Sequence, residues 1–186
     1  MERLISNKGQ VQFMGEALTG PAKITSANDV AFLFKNLESA ATENAFLVMM
    51  DKKNRYKVVY IGTGAASAVV MDIPALINSI NEFKAKSFVF VHNHPSGNLI
   101  ASQADIDISQ KMQEAAKNLN VTMMPSVIID TDKGEYSEID LDSRTSDTSK
   151  KTPMRDEVAP VDVYHFDRQI LYVPSNTRTK ISSSQD

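Results

Sequence analysis

Two histidines and one aspartate carry the most evident chemistry in this sequence. His92 and His94 are one residue apart and follow the apolar run Ser87–Val91. In an extended chain, residues two apart project to the same side, so both imidazoles should point the same way. Pro95 favours an extended conformation at His94. Because imidazole is the commonest protein ligand for metals, the pattern indicates a metal site at the end of a buried strand.

Asp105 is the predicted third ligand. After His94 the chain turns through residues 96–98 and enters a predicted helix at Ser102. If that turn folds back, Asp105 reaches both histidines. Two imidazoles and a carboxylate leave a fourth tetrahedral position for water, whose pKa such a zinc site lowers to about 7. Alternatively, Ser102 and Asp105 form a reciprocal helix cap. The two interpretations are compatible, since one carboxylate oxygen could serve each purpose.

Composition restricts the chemistry further. The 186-residue chain has no cysteine, which excludes disulfides, thiolate metal sites and cysteine nucleophiles. The net charge is -3 and the pI about 5.6, so bulk charge does not support nucleic-acid binding. There is no apolar run of the roughly 20 residues that a membrane span needs. The first residues do not resemble a signal peptide, and we expect a cytoplasmic protein.

The elements that must position the site predict a three-layer α/β domain with a mixed sheet flanked by helices. Short continuous apolar runs indicate strands buried on both faces, and capping residues mark the helix starts. Predicted helices begin at residues 26–29 (with apolar positions to Leu37), run from Asp72 to about Lys84, and span Ser102–Asn118. Predicted strands are Ala45–Met50, Tyr56–Ile61, Ala68–Met71 (after a turn at Gly62–Gly64), Ser87–Val91, Val121–Asp130 and Glu135–Ile139.

Four parts are predicted along the chain. Residues 1–22 form an N-terminal lead with a short strand near Val11–Met14, and residues 23–140 form the core domain. Residues 141–160 are polar and charged, as in a linker. Residues 161–186 comprise one or two strands and a loose tail. The tail segment 180–186 resembles residues 23–29, which is either coincidence or the beginning of a second, similar domain.

With its spacing complete, the site pattern resembles a known family. His92-x-His94, followed by Ser102 and Asp105, is similar to the JAMM (MPN+) metalloprotease signature. The surrounding His92-Asn93-His94-Pro95-Ser96-Gly97 is similar to the RadC-like branch of the JAB domains, over about residues 20–140. The resemblance implies a JAB/MPN-like (cytidine-deaminase-like) fold and one Zn²⁺ per chain.

The resemblance also implies roles for two further residues. Glu43, which opens the predicted strand at 45–50, matches the family's glutamate. The alternative interpretation is a solvated glutamate before a strand. Glu38 and Glu82 fall in predicted helices and are weaker candidates. In the implied mechanism, Glu43 takes a proton from the water and delivers it to the leaving amine. Ser102 donates a hydrogen bond to the oxyanion.

The sequence departs from the RadC pattern in two places. Residues 69–74 replace the usual Pro-Arg-Glu segment, and Met124-Pro125 stands where Asp-His is usual, whereas Tyr136-Ser137 keeps the family's aromatic-Ser pair. Three functions therefore remain open. The first is a zinc hydrolase acting on an amide or isopeptide bond of a protein or peptide. The second is a non-catalytic binding module, and the third is a RadC-type factor associated with DNA repair. The sequence does not predict an oligomeric state.

Overall fold

The structure is a computed structural model, and it describes residues 20–21, 23–35, 43–64, 72–142, 151–154, 161–166 and 169–174. Within this part the chain forms three helices and nine strands. The helices are α1 (Ala27–Phe32), α2 (Ile73–Phe83) and α3 (Gln103–Asn118). The strands are β1 (Glu43–Met50), β2 (Tyr56–Gly64), β3 (Ser87–Asn93), β4 (Thr122–Met123), β5 (Ser126–Asp130), β6 (Glu135–Ile139), β7 (Thr152–Pro153), β8 (Val161–Phe166) and β9 (Gln169–Pro174).

All nine described strands belong to one mixed sheet. Its order is β7-β6-β5-β3-β1-β2-β9-β8, and β4 also pairs with β3. The β3–β5 pairing is parallel and is connected through α3, whereas β1 pairs antiparallel with both β2 and β3. The prediction of an α/β domain with a mixed sheet flanked by helices is confirmed.

The central strand β1 is buried along its whole length, as its continuous apolar sequence predicted. Its alternate residues face two different layers. Phe46, Val48 and Met50 pack with α1 residues, whereas Leu47 and Met49 pack with residues of α2 and α3. Helices therefore cover both faces of the sheet at β1, and the neighbouring strand β3, which carries His92, is likewise buried except at its two ends.

Helix starts were predicted accurately because their caps are local. Ser26 and Ser102 are N-caps with reciprocal bonds to the aspartates three residues on, and Asp72 caps α2 with Pro74 in its first turn. The helix α1 ends at Phe32, before the predicted limit at Leu37, and Leu37 lies outside the described residues.

The predicted turn at Gly62–Gly64 is wrong. These residues continue β2 and pair with the beginning of β1, across a bulge where Ala45 faces Gly62 and Phe46 faces Tyr60. The bulge requires an unusual backbone at Gly62, whose φ of 153° is rare for residues with a side chain. Glycine at this position accommodates the bulge in the strand, although glycines in a sequence also commonly mark turns. The predicted strand Ala68–Met71 lies outside the described residues.

The single strand predicted over Val121–Asp130 is also wrong, because two strands occupy this range. β4 and β5 are separated at Met124-Pro125. Proline has no N–H to donate to a neighbouring strand, which explains the interruption. The strand Glu135–Ile139 is as predicted.

Part of the predicted linker belongs to the sheet. Thr152–Pro153 pairs with β6, and Met154 is buried against the core, so the linker prediction for 141–160 does not hold at these residues. β9 pairs with β2, which joins the β8–β9 hairpin to the same sheet. The predicted strand near Val11–Met14 and the repeat at 180–186 lie outside the described residues. The division of the chain into four parts remains a prediction.

Two stacked tyrosines pack β9 against β2. They also allow a matched pair of substitutions. The rings of Tyr56 and Tyr172 are 4.6 Å apart, and both side chains are fully buried. The Tyr56 hydroxyl donates to the Pro21 carbonyl at 2.8 Å, whereas the Tyr172 hydroxyl has no hydrogen-bond partner among the described residues.

Tyr56→Phe should therefore lower the free energy of unfolding by about 1–3 kcal/mol, because it leaves a buried carbonyl unpaired. Tyr172→Phe should leave it unchanged or raise it, because it removes a buried hydroxyl to which no described residue is hydrogen-bonded. Urea denaturation of both variants measures the difference. An equal loss in the two variants would contradict this description of the core.

Candidate metal centre

The two histidines lie where β3 leaves the sheet. His92 is fully buried and pairs across the strands with Ala45 of β1 and Ile128 of β5. His94 follows the strand end and is half-buried. Their Nε2 atoms are 3.1 Å apart. The sequence prediction that both imidazoles project to the same side is confirmed.

The loop after His94 brings Asp105 back to the histidines. Gly97 donates its N–H to the His94 carbonyl at 2.9 Å and has a φ of 72°, a conformation that favours glycine. The Ser96 hydroxyl accepts from the Asn98 N–H at 3.2 Å. These bonds show that Ser96 and Gly97 shape the turn, as the sequence indicated.

Asp105 contacts both imidazoles with different oxygens. Its Oδ1 is 3.0 Å from His92 Nε2, and its Oδ2 is 3.0 Å from His94 Nε2. The same Oδ2 accepts the Ser102 N–H at 2.8 Å, while the Asp105 N–H donates to the Ser102 hydroxyl at 3.1 Å. One carboxylate thus both caps α3 and faces the histidines. The sequence suggested one carboxylate oxygen for each purpose, whereas Oδ2 both accepts the capping bond and faces His94.

Glu43 joins these three residues from β1. Its Oε1 is 3.9 Å from His92 Nε2, and potential ligand atoms of Glu43, His92, His94 and Asp105 all lie within 4.8 Å of one another. The structure therefore brings together all of the predicted ligands and the predicted glutamate. Glu82, a weaker candidate, is exposed in α2, and Glu38 lies outside the described residues.

Ser102 and Asn93 border the cluster. Ser102 is exposed, and its hydroxyl accepts a bond from Asp105, which leaves its proton available for donation. Asn93 accepts the Asn44 N–H on its Oδ1 at 2.7 Å, next to Glu43 in β1. Asn93 thus ties the beginning of β1 to the end of β3. His165 belongs to β8, and its side chain is outside the described part.

A backbone contact fixes the orientation of His94, and sequence reasoning missed it. His94 Nδ1 lies 2.7 Å from the carbonyl oxygen of Asn98. A carbonyl only accepts, so Nδ1 carries a proton, and whenever the ring is neutral the lone pair of Nε2 is directed at the site. No residue type marks a backbone acceptor in a sequence; the turn-forming residues 96–98 were the only signal.

This donor set fits a metal cation. His94 Nε2 lies about 3 Å from a second imidazole nitrogen and from a carboxylate oxygen. Without metal, protons on the imidazoles bond to the carboxylate, and a cation could take their place between the three groups. Ligand atoms of a tetrahedral ion bound at 2.0–2.2 Å lie roughly 3.3–3.6 Å apart. The observed separations are close to this, so the residues could hold a metal after small shifts.

The ionisation of these groups follows from the same contacts. Burial would raise the pKa of Asp105, but the hydrogen bonds to His92 and His94 outweigh it and hold that pKa far below its usual range. Burial opposes protonation of His94, but the bond to Asp105 and its charge raise the pKa of His94 overall. Burial raises the pKa of Glu43 despite the neighbouring histidines.

The fold and the cluster together define a mixed-sheet α/β domain with a candidate metal centre at a strand end. Residues 24–141 match the RadC-like JAB domain, and the chain belongs to this family. The resemblance inferred from the motif is confirmed. In the described part, no helix is long and apolar enough to cross a membrane.

Several similar proteins are named UPF0758 proteins. The chain is 28% identical to a UPF0758 protein of Finegoldia magna over 57% of its length and 48% of the relative's. It is 31% identical to a UPF0758 protein of Methanococcoides burtonii over 58% of the chain and 48% of the relative. For a UPF0758 protein of Pelobacter propionicus the identity is 27%, over 67% and 55%. The matched part of this chain thus corresponds to about half of each relative.

Metal binding should depend on pH in a direction that these pKa shifts set. Without metal, the raised pKa of His94 stabilises the fold below about pH 6.5, the ordinary histidine value, and this contribution is lost as the pH rises through the higher folded value. The lowered pKa of Asp105 stabilises the fold above about pH 3.9. A metal competes with the His94 proton, so its stabilising effect should grow from pH 6 to pH 8.

The measurement is the difference in melting temperature between zinc-loaded and chelator-treated protein in the same buffer, which cancels the other titrating groups. At a free zinc concentration about 100 times Kd, the stabilisation is about 2.7 kcal/mol, or roughly 5–10 °C for a chain of this size. His94→Ala is the control and should abolish the difference. A difference that does not change between pH 6 and pH 8 would contradict the assignment of His94.

Proposed function

We propose that this protein is a zinc-dependent hydrolase of the JAMM type, cleaving an amide or isopeptide bond in a protein or peptide. The observation that carries the proposal is the convergence of two imidazole nitrogens on one carboxylate, at 3.0–3.1 Å, with a glutamate 3.9 Å from one of them. Metal ligands without a neighbouring proton acceptor would be typical of a structural metal site. A proton acceptor without metal ligands would have no metal-activated water to deprotonate. The cluster supplies residues suited to both roles.

The donor set favours zinc over other common metals. Magnesium and calcium are bound mainly by oxygen, whereas imidazole nitrogens suit zinc and other transition metals. Three protein ligands with a fourth position left open are typical of catalytic zinc sites, and His92, His94 and Asp105 would be those ligands. When bound, zinc supplies Lewis-acid chemistry that activates water and polarises a carbonyl group.

Glu43 is suited to move the proton. Its side chain is buried, and burial raises the pKa of its carboxyl, which makes it a stronger base than an exposed glutamate. Glu43 lies at the start of β1, which places its Oε1 beside the proposed ligands. Glu43 itself is not one of the three ligands. In the proposed reaction Glu43 accepts a proton from the attacking water and delivers it to the leaving amine.

Ser102 is suited to stabilise the developing negative charge. Its hydroxyl accepts from the Asp105 N–H, which fixes the oxygen in place, and its own proton remains for donation to an oxyanion. It lies at the exposed side of the site, where a substrate carbonyl would enter. The helix cap therefore uses the N–H groups of Ser102 and Asp105, whereas the oxyanion contact would use the hydroxyl proton of Ser102.

The substrate class is inherited from the wider JAMM resemblance. The matched relatives are about twice as long as the aligned segment, and their names state no activity. The acidic net charge of this chain favours a protein or peptide over a nucleic acid as partner. Newly formed amino groups, identified by mass spectrometry after incubation with a peptide library containing isopeptide-linked members, provide a test that does not require a known substrate.

Glu43→Gln should lower kcat by about 10²- to 10⁴-fold, because the amide keeps the shape of the side chain but cannot accept the proton. Zinc content should be unchanged. Elemental analysis and the peptide-library assay measure the two effects separately. Glu82→Gln, an equal change on the exposed face of α2, is the control and should behave as wild type. Full activity in Glu43→Gln would refute the role of Glu43 as base.

Ser102→Ala should lower kcat by about 10²- to 10³-fold through loss of an oxyanion donor. It should also cost about 1 kcal/mol of stability, since it removes an N-cap. Ser26→Ala is a matched control, because Ser26 forms the same reciprocal cap with Asp29 at the start of α1. The control should lose similar stability and retain kcat. Equal losses of activity in both variants would show that Ser102 acts only through the helix.

A further inference from the structure

Ser137 is a buried polar residue that the proposed mechanism does not use. It lies in β6, is 1% exposed, and donates its hydroxyl to the carbonyl of Leu99 at 2.6 Å. Leu99 belongs to the loop between β3 and α3, which connects His94 to Asp105. A residue two strands away from the histidines therefore holds the loop on which the metal centre depends.

The sheet register places Ser137 in the same row as the metal centre. Ser137 pairs with Ile128 of β5, and Ile128 pairs with His92 of β3. Residues that pair across adjacent strands project to the same face of a sheet. The Ser137 side chain is consequently on the face that carries His92, and a single row of the sheet supports both the first ligand and the loop.

Leu99 is fixed at two points. Its side chain is buried against Ile128 and Ile139, and its carbonyl accepts the Ser137 hydroxyl. The preceding carbonyl is that of Asn98, which accepts the proton on His94 Nδ1 at 2.7 Å. Because only the two backbone dihedrals of Leu99 separate these peptide planes, holding one carbonyl restricts the direction of the other.

We propose that Ser137 is a positioning residue for His94. By holding the Leu99 carbonyl it directs the Asn98 carbonyl at His94 Nδ1, which keeps the proton on that nitrogen and turns Nε2 to the metal. The inference rests on the metal site of the proposed function. Partners that orient a metal-binding histidine in this way are commonly worth 10- to 100-fold in metal affinity.

The test compares two buried serines on neighbouring strands. Ser137→Ala should weaken zinc binding about tenfold in competition with a chelator, at the lower end of the range for such partners because it acts through the loop. Ser126→Ala is the control, since Ser126 is equally buried and its hydroxyl lies 2.9 Å from that of Ser109 in α3. It should lose comparable stability but keep zinc affinity within twofold. Ser137→Thr, which retains a hydroxyl, should restore most of the affinity.

A second readout uses the metal-free protein. At a pH at which the His94 ring is neutral, nitrogen-15 NMR should show His94 protonated on Nδ1 in wild type and in Ser126→Ala, and a mixture of tautomers in Ser137→Ala. Should Ser137→Ala fail to fold, Ser137→Cys has nearly the same volume and a weak donor, and it should show an intermediate loss of affinity.

Equal zinc affinity in wild type and Ser137→Ala, or an equal loss in Ser126→Ala, would overturn the proposal. Wild-type affinity in Ser137→Cys would overturn it as well if the alanine variant does not fold. If wild type binds no zinc, the proposed function fails instead, and the His94 tautomer in the metal-free variants then decides whether Ser137 positions the ring.

Discussion

The structure around the site depends on one electrostatic constraint, which is the crowding of lone pairs where β3 meets α3. His94 Nδ1 donates to the Asn98 carbonyl, so a neutral His94 directs the lone pair of Nε2 at a carboxylate and a second imidazole. Such an arrangement is unfavourable unless a positive charge sits between the groups. A proton can supply that charge in the metal-free protein, and a divalent cation can supply it better.

The sheet makes this crowding possible by keeping the groups in place. β1 and β3 pair in register from Ala45 opposite His92, and the Asn44 N–H is bonded to Asn93 between the two histidines. Glu43 opens the first of these strands, so its distance from the ligands is set by backbone pairing instead of by a flexible loop. Rigid elements position such groups more accurately than loops do.

Much of the site could be predicted because its signals are local. The spacing of His92 and His94, and the cap that joins Ser102 to Asp105, involve residues within one turn or one strand step. The Asn98 carbonyl could not be predicted, since a backbone acceptor has no residue signature. Gly62 was misassigned to a turn because the bulge that needs it depends on pairing with β1, and the joining of β9 to β2 depends equally on residues far apart in the chain.

The double use of Asp105 has a consequence for folding. Its Oδ2 accepts the Ser102 N–H and also faces His94, so the first turn of α3 and the ligand set share one oxygen. Two equilibria that share a group are linked, and the effect of each on the other is equal in size and sign. Here the cap holds the carboxylate facing His94, which favours both. Ordering of the α3 N-terminus therefore prepares the carboxylate for a metal, and an ion bound there would in turn oppose fraying of the helix.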